Sequence, residues 1–259
     1  YINVFESTDL HTEVVKMVWP NMGWTNDPKQ DRAIADRNYY LHHSYRDICK
    51  RAGHGTNYGV SPHSLARQIK IKVSQATRFQ LLYFGGVISS VSLERWHKQD
   101  PMGGYQELLD MGEKIGKDTL KIKGAFPGIR VWHNTIQQEL IEKGSLTTPM
   151  GRRRHFWDRL KDASTLRAAI AFVPQSTIGD LLNLGLCRVY DELQEAGVEI
   201  LGQVHDAILG QCDKDKVNDL MPQVLDRMHN PLMVNGRKML IPSSVEVGDN
   251  WKDLKTWTI

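Results

Sequence analysis

The sequence lacks any long apolar run. No stretch approaches the roughly 18 consecutive apolar residues that a membrane-spanning helix needs, and no charged-then-apolar leader opens it, so no membrane partner is expected. Cysteine is scarce. Cys49, Cys187 and Cys212 are the only three and share no close ligand spacing, which implies no zinc and predicts free thiols in a reducing compartment. Charge of one sign is scarce as well: 33 Lys and Arg against 30 Asp and Glu leave a net charge of +3, which permits nucleic-acid binding without demonstrating it. An initiating Met is also lacking. The chain opens YINVFESTDLH, as if in mid-element, and a fragment or a processed product is expected. With 259 residues and 41% hydrophobic content it can bury one large core or two smaller ones.

What the chain does contain is one patterned stretch. Residues 46–59 read RDICKRAGHGTNYG, and Arg46, Lys50, His54 and Tyr58 recur every fourth residue, on one slowly drifting face of a helix. At about 1.5 Å rise per residue, successive members stand roughly 6 Å apart, so the stripe spans about the length of a nucleoside triphosphate, cations first and then rings. A Lys/Arg stripe is more often a solvated face than a ligand site, and spacing alone favours that bland alternative. Gly53, Gly55 and Gly59 argue against it. Each glycine inside a helix costs about 1 kcal/mol relative to Ala, so a cluster of them predicts a close visitor at the backbone, and a base pair is a candidate.

Arg-x3-Lys-x3-aromatic-Gly-x2-Tyr-Gly, with His54 in the aromatic place, resembles the fingers helix of family A DNA polymerases, the bacterial repair and phage replicative enzymes. That family usually has Phe or Tyr where His54 stands and Asn where Gly53 stands, departures that bear on sugar discrimination rather than fold. The resemblance implies that Arg46, Lys50, His54 and Tyr58 bind the incoming deoxynucleoside triphosphate. Lys50 is also placed to protonate the leaving pyrophosphate.

Upstream, Asp9 is a suitable N-cap for the amphipathic run LHTEVVKMVW, and Pro20 lies just beyond its end. His11 matches the His of a D-I-H-like family segment that reaches the triphosphate; from the residues alone, a half-buried His after a capping Asp stands equal with that role. Residues 21–31 read as a surface loop, followed by a helix from about 32 through the patterned stretch. Ser61-Pro62 restarts the chain as N-cap and first helical residue, so two helices meet near Tyr58-Gly59 in a bend where fingers would close. The resemblance lapses over about 85–125, expected to be an insertion, and resumes at Phe126-Pro127-Gly128, the start of another helix.

LTTPMGRRRHFWD then carries the densest basic cluster, Arg152, Arg153, Arg154, Arg159 and Lys161, after a Thr-Pro-Met-Gly turn. It could be a solvated loop; the family's T-x2-G-R-R-R-like segment implies contact with the nucleic-acid backbone, which supplies affinity rather than sequence choice. LRAAIAFVPQSTIGDLLNLGLCRVYDELQEAG is a long helical pattern in which Arg167, Gln175 and Asp180 fall into the family's register, Gln175 toward the minor groove of the primer terminus. Ala171 and Ser176 depart from it. Leu181, Leu182, Leu184 and Leu186 are expected in the core. VEILGQVHDAILGQC reads as two strands joined by a tight turn at His205-Asp206. His-Asp in a turn is a weak signal by itself. In the order Gln203-Val204-His205-Asp206 it resembles the palm hairpin of family A polymerases, in which the Asp holds catalytic magnesium and the His steadies the primer end. The Glu that often follows is Ala207 here, and SSVEVGDNWKDL resembles the family's closing segment, so the natural C-terminus is expected to be present.

The resemblance thus implies an α/β (α+β) fragment of a right-hand polymerase: helical fingers over 1–160, with the insertion, and part of an antiparallel-sheet palm over 161–259. It implies a phage-like template-directed DNA polymerase in a bacterial or phage-infected cytoplasm, with primer-template DNA and dNTPs as partners. Asp206, Lys50 and His205 would be catalytic; Arg46, Lys50, His54, Tyr58 and His11 would bind dNTP; and Gln175, Arg167, Gln203, Arg152, Arg153 and Arg154 would bind DNA. Two magnesium ions are implied, with Asp206 as one ligand and a second carboxylate expected from an upstream segment, in cis or as a separate chain, that also supplies the thumb. A single-subunit RNA polymerase fragment and a non-catalytic primer-template binding module are the alternatives.

Overall fold

In the computed structural model, which describes residues 9–258, Asp9 caps the first helix, α1 (Leu10–Val18), by accepting from the Thr12 amide and hydroxyl. Val14, Val15 and Val18 form its buried face. Asp27 and Pro28 start α2 (Pro28–Ala35), the acid as cap and the proline with its preset φ. The predicted continuous helix from about residue 32 does not form. α2 ends at Ala35, and a short antiparallel ladder of β1 (Asn38–Tyr40) and β2 (His43–Ser44) intervenes, turning at Leu41 with φ +53°. The Asn38 side-chain amide donates to the Leu41 carbonyl and closes this turn, local chemistry that hydrophobic periodicity does not register.

Ser44 caps α3 (Tyr45–Asn57), accepting from the Asp47 amide, and Gly59 (φ +72°) then turns the chain toward Ser61-Pro62 and α4 (Pro62–Ile69), as predicted. The largely buried α5 (Val73–Phe84) is followed by β3 (Gly86–Ser89), α6 (Ser90–Gln99), α7 (Tyr105–Met111), β4 (Glu113–Gly116) and β5 (Thr119–Ile122). The three strands form an antiparallel sheet in the order β3-β5-β4. A Cβ on Gly124 would stand 1.9 Å from the Gly85 nitrogen, so the chain crosses itself there at a distance only glycine permits. Leu93, Tyr105, Leu108, Leu120 and Ile122 are at most 3% exposed and share one core with Val15, Ile48, Phe79 and Leu82. The segment expected as an insertion is therefore built into this core. α8 (Pro127–Lys143) begins at Pro127, as predicted.

β6 (Ser145–Thr147) and β7 (Arg153–His155) pair antiparallel, with Ser145 opposite His155 and Thr147 opposite Arg153. α9 (Ala163–Leu193) is the predicted long helix and contains Pro174, which has no N–H for the helical ladder. Leu181 and Leu182 are buried and Leu186 half-buried, but Leu184 is 41% exposed, a correction to its predicted core place. At about 100° per residue it stands well over 90° from the centre of the buried stripe that Leu182, Gly185, Val189 and Leu193 define. β8 (Glu199–Val204) and β9 (Ala207–Gln211) form the predicted hairpin, followed by α10 (Val217–Met228) and the antiparallel pairs of β10 (Leu232–Val234) with β11 (Arg237–Met239) and β12 (Glu246–Val247) with β13 (Lys255–Thr256). Val189, Leu193, Val198, Leu220 and Met221 centre a smaller core here.

Helices with small antiparallel sheets agree with the predicted α+β class. The described residues form two compact units, one of 9–142 with 158–170 and the other of 143–157 with 171–258. The chain passes between them three times, where the sequence predicts a single boundary near 160. The three cysteines are free thiols, and among the described residues no helix is long and apolar enough to cross a membrane.

Candidate nucleotide-binding and catalytic residues

Arg46, Lys50 and His54 lie along α3 and Tyr58 caps its C-terminal end; Lys50 and His54 are exposed, Arg46 and Tyr58 half-buried. Arg46 is held in place by Asp9, whose carboxylate accepts from its Nη2 at 3.1 Å and also from Arg32 Nη1 at 3.0 Å. Burial alone would raise the Asp9 pKa, but hydrogen bonds from Arg46 and Thr12 outweigh it and hold the carboxyl well below the usual carboxylate range. Burial, then the Arg46 and Lys50 charges, push the His11 imidazole below its ordinary 6.5. Both causes favour the uncharged form of the imidazole. An anion seated against Arg46 and Lys50 would reverse the Coulombic part of that shift. Lys50 makes no ion pair among the described residues, so its ammonium is available to a ligand. The His54 and Tyr58 rings meet edge to face, with centroids 4.8 Å apart.

Two glycines of this helix face the core rather than a visitor, though a Cβ on either would meet only ordinary contacts. A Cβ on Gly53 would lie 3.6 Å from the Tyr83 ring, and one on Gly55 would lie 3.5 Å from Leu65, so both face the protein's own core. Gly59 is required by its positive φ. A Cβ there would stand 3.9 Å from Arg167 Cγ, which sets that exposed arginine beside the end of the stripe.

In the second unit, the Thr-Pro-Met-Gly turn closes with the Gly151 amide on the Thr148 carbonyl at 2.9 Å and the Arg152 amide on the Thr148 hydroxyl at 3.1 Å. Each following arginine has its own anchor. Arg152 Nε donates to both Asp180 carboxylate oxygens at 2.9 and 3.0 Å, Arg153 donates twice to Ser145 Oγ, and Arg154 lies over the Phe156 and Phe172 rings at 4.7 and 5.8 Å. The run is an ordered, solvent-exposed hairpin. Gln175 is exposed on α9, and Gln203 is exposed on β8 opposite Ile208.

His205 and Asp206 form the two-residue tip between β8 and β9, both exposed, with His205 at φ +54°, a left-handed conformation that costs a non-glycine residue about 1–2 kcal/mol. Asp206 accepts no hydrogen bond and makes no ion pair among the described residues, so its oxygens are open to a hard cation. No group of three or more His, Cys, Asp or Glu able to hold a metal occurs among the described residues. Asp206 can thus be one ligand of an ion but does not make a site. The Asp9–Arg46 and Arg152–Asp180 pairs join residues 37 and 28 apart, and no spacing in the sequence points to either.

A family model described as DNA polymerase family A matches residues 112–253, more than half of the chain. The chain belongs to that family. The match begins at Gly112, inside the stretch where the motif resemblance lapses. DNA polymerase I, thermostable, of Thermus aquaticus is 24% identical over 262 residues, covering 98% of this chain and 24% of the relative. DNA polymerase I of Aquifex aeolicus is 28% identical over 214 residues, 80% of this chain and 30% of the relative. The chain thus spans about a quarter of the length of the Thermus relative. The POL domain of Pol1 from M. smegmatis, solved in complex with DNA primer-template and dNTP, superposes with TM-score 0.55 at 20% identity over 92% of this chain and 34% of that one, a likeness of fold.

Proposed function

We propose that this family A chain carries the dNTP-binding face and the palm hairpin of a template-directed DNA polymerase, transferring a nucleotide from dNTP to a primer 3′-hydroxyl. The observation that carries this reading is the hydrogen bond from Arg46 to Asp9, the cap of α1, which brings the N-terminal end of α1, with His11, beside the α3 stripe, where the rings of His54 and Tyr58 follow Lys50 by one and two turns. Arg46, oriented by Asp9, pairs with phosphate; Lys50 neutralises the leaving pyrophosphate and gives it a proton; His11 hydrogen-bonds to the triphosphate. His54 lies against the incoming sugar, where its imidazole is smaller and more polar than a Phe or Tyr ring.

In the second unit, His205 steadies the primer end and Asp206 presents its unpaired carboxylate, with Gln203 and Gln175 at the terminal base pair. Arg152, Arg153, Arg154 and Arg167 hold the nucleic-acid backbone. Two magnesium ions, when bound, would activate the primer hydroxyl and neutralise the triphosphate, with Asp206 supplying one carboxylate and an upstream segment the other. Family membership favours this over an RNA polymerase. The cytoplasm of a bacterium or of a phage-infected cell is the corresponding setting.

The test is primer extension with magnesium and all four deoxynucleotides. The 259-residue chain alone is expected to bind primer-template without extending it, and an added upstream segment carrying the second carboxylate is expected to restore extension. In that reconstituted enzyme Asp206→Asn should lower the rate by 10² to 10³ or more, roughly the loss on deleting one preorganised stabilising group, while leaving DNA binding largely intact. Extension at a near wild-type rate by the variant would remove Asp206 from the active site.

A further inference from the structure

Trp157 is 90% exposed, the most exposed large hydrophobic side chain among the described residues. It does not stand alone: its ring stacks on His155, centroids 5.7 Å apart and planes 21° from parallel. The β6–β7 ladder continues to the Phe156 amide, which donates to the Gly144 carbonyl, so alternate residues of this extended segment share a face. Arg153, His155 and Trp157 form one exposed row at steps of about 6.6 Å. Phe156 turns the other way and is buried, with Arg154 stacked on its ring.

The row is held from the neighbouring strand. Arg153 is fixed by its two hydrogen bonds to the buried Ser145 hydroxyl, and His155 stands directly opposite Ser145 in the ladder. Residues 145–157 contain three arginines, one histidine and no carboxylate, and Asp180 of α9 is taken by Arg152, so the row of Arg153, His155 and Trp157 suits an anion with flat, unsatisfied faces. Nucleic acid offers that combination: a phosphate for the guanidinium and a π-face for the ring pair. In a duplex both faces of each base are already covered. An unpaired base has one to offer.

We propose that His155 and Trp157 form a stacking platform for an unpaired nucleobase of the bound strand, with Arg153 pairing with that strand's phosphate. The platform rests on the polymerase reading and adds to it a grip on single-stranded template that neither the dNTP-binding face nor the palm hairpin supplies. The stacking is indifferent to base identity, because every base has a π-face.

The test compares binding of a labelled short thymidine oligomer with that of an abasic oligomer of equal length and charge, by fluorescence anisotropy on the full chain at fixed salt. The wild-type protein is expected to prefer the base-bearing strand by roughly 5- to 150-fold for one stacked base. Trp157→Ala should remove most of that preference and leave the abasic affinity unchanged, and Trp157→Phe should restore much of it. Because Trp157 is solvent-exposed, truncation leaves the core intact. An equal preference in wild type and Trp157→Ala, with primer-template still bound by both, overturns the platform and leaves the polymerase reading standing. Failure of the wild-type chain to bind oligomer or primer-template overturns both.

Discussion

His11 illustrates how one residue's chemistry depends on neighbours that the sequence does not place. Its position two residues after a capping Asp is legible; the downward shift of its pKa is not, because it arises from burial and from two cations on another helix. His133 shares the direction of shift through burial, only partly offset by its hydrogen bond to the Asn57 carbonyl. Both folded-state values lie below the ordinary 6.5, so the folded chain binds fewer protons than the unfolded chain in that range. Stability is therefore fully present above about 6.5 and falls as pH drops through the lowered values. Thermal denaturation between pH 7.5 and 5 should show a falling Tm, and His11→Gln should flatten part of the fall. Asp9 acts lower on the scale, its stabilisation being lost only below its ordinary 3.8, so that window separates the two groups.

The segment from Gly86 to Ile122 shows what an element can hide. It carries no recognisable chemistry and reads as an addition, yet its apolar residues close the same core that supports α3. Leu93 lies in α6 with no exposure at all, so Leu93→Ala should cost about 2–5 kcal/mol, the range for a buried leucine truncation, measured by urea unfolding of the whole chain. A loss below about 1 kcal/mol would mean that the site collapses freely and the segment is peripheral after all. The patterned helix makes the opposite point. Its polar stripe and its end follow from the four-residue period and Gly59, but its start at Ser44 and the packing of Gly53 and Gly55 beside Tyr83 and Leu65, which come from other helices, do not.

At the scale of the molecule, a net charge of +3 is too small to explain nucleic-acid affinity, and the arrangement of cations has to supply it. Arg152, Arg153 and Arg154 are anchored on one hairpin, while Arg167 is exposed with no ion pair among the described residues. Primer-template affinity of the chain should fall steeply with salt. Arg167→Ala should weaken binding about equally for all sequences and reduce the slope of log K against log salt by roughly 1. An unchanged slope would take Arg167 off the phosphate backbone.

The sequence by itself determined the family, through local order: Arg46, Lys50, His54 and Tyr58 in one helical period, and Gln203 to Asp206 around a hairpin tip. Such motifs are legible in sequence because helix and hairpin geometry bring side chains at fixed local spacing to one face without help from distant parts of the chain. Only the tertiary structure decided what depends on distant partners. Asp9 orients Arg46, Asp180 holds Arg152, and Tyr83 rather than a base fills the space beside Gly53. The exposure of Leu184 and the pairing of Trp157 with His155 belong to the same class. Packing and electrostatics act through space, and the residues they join carry no common spacing along the chain.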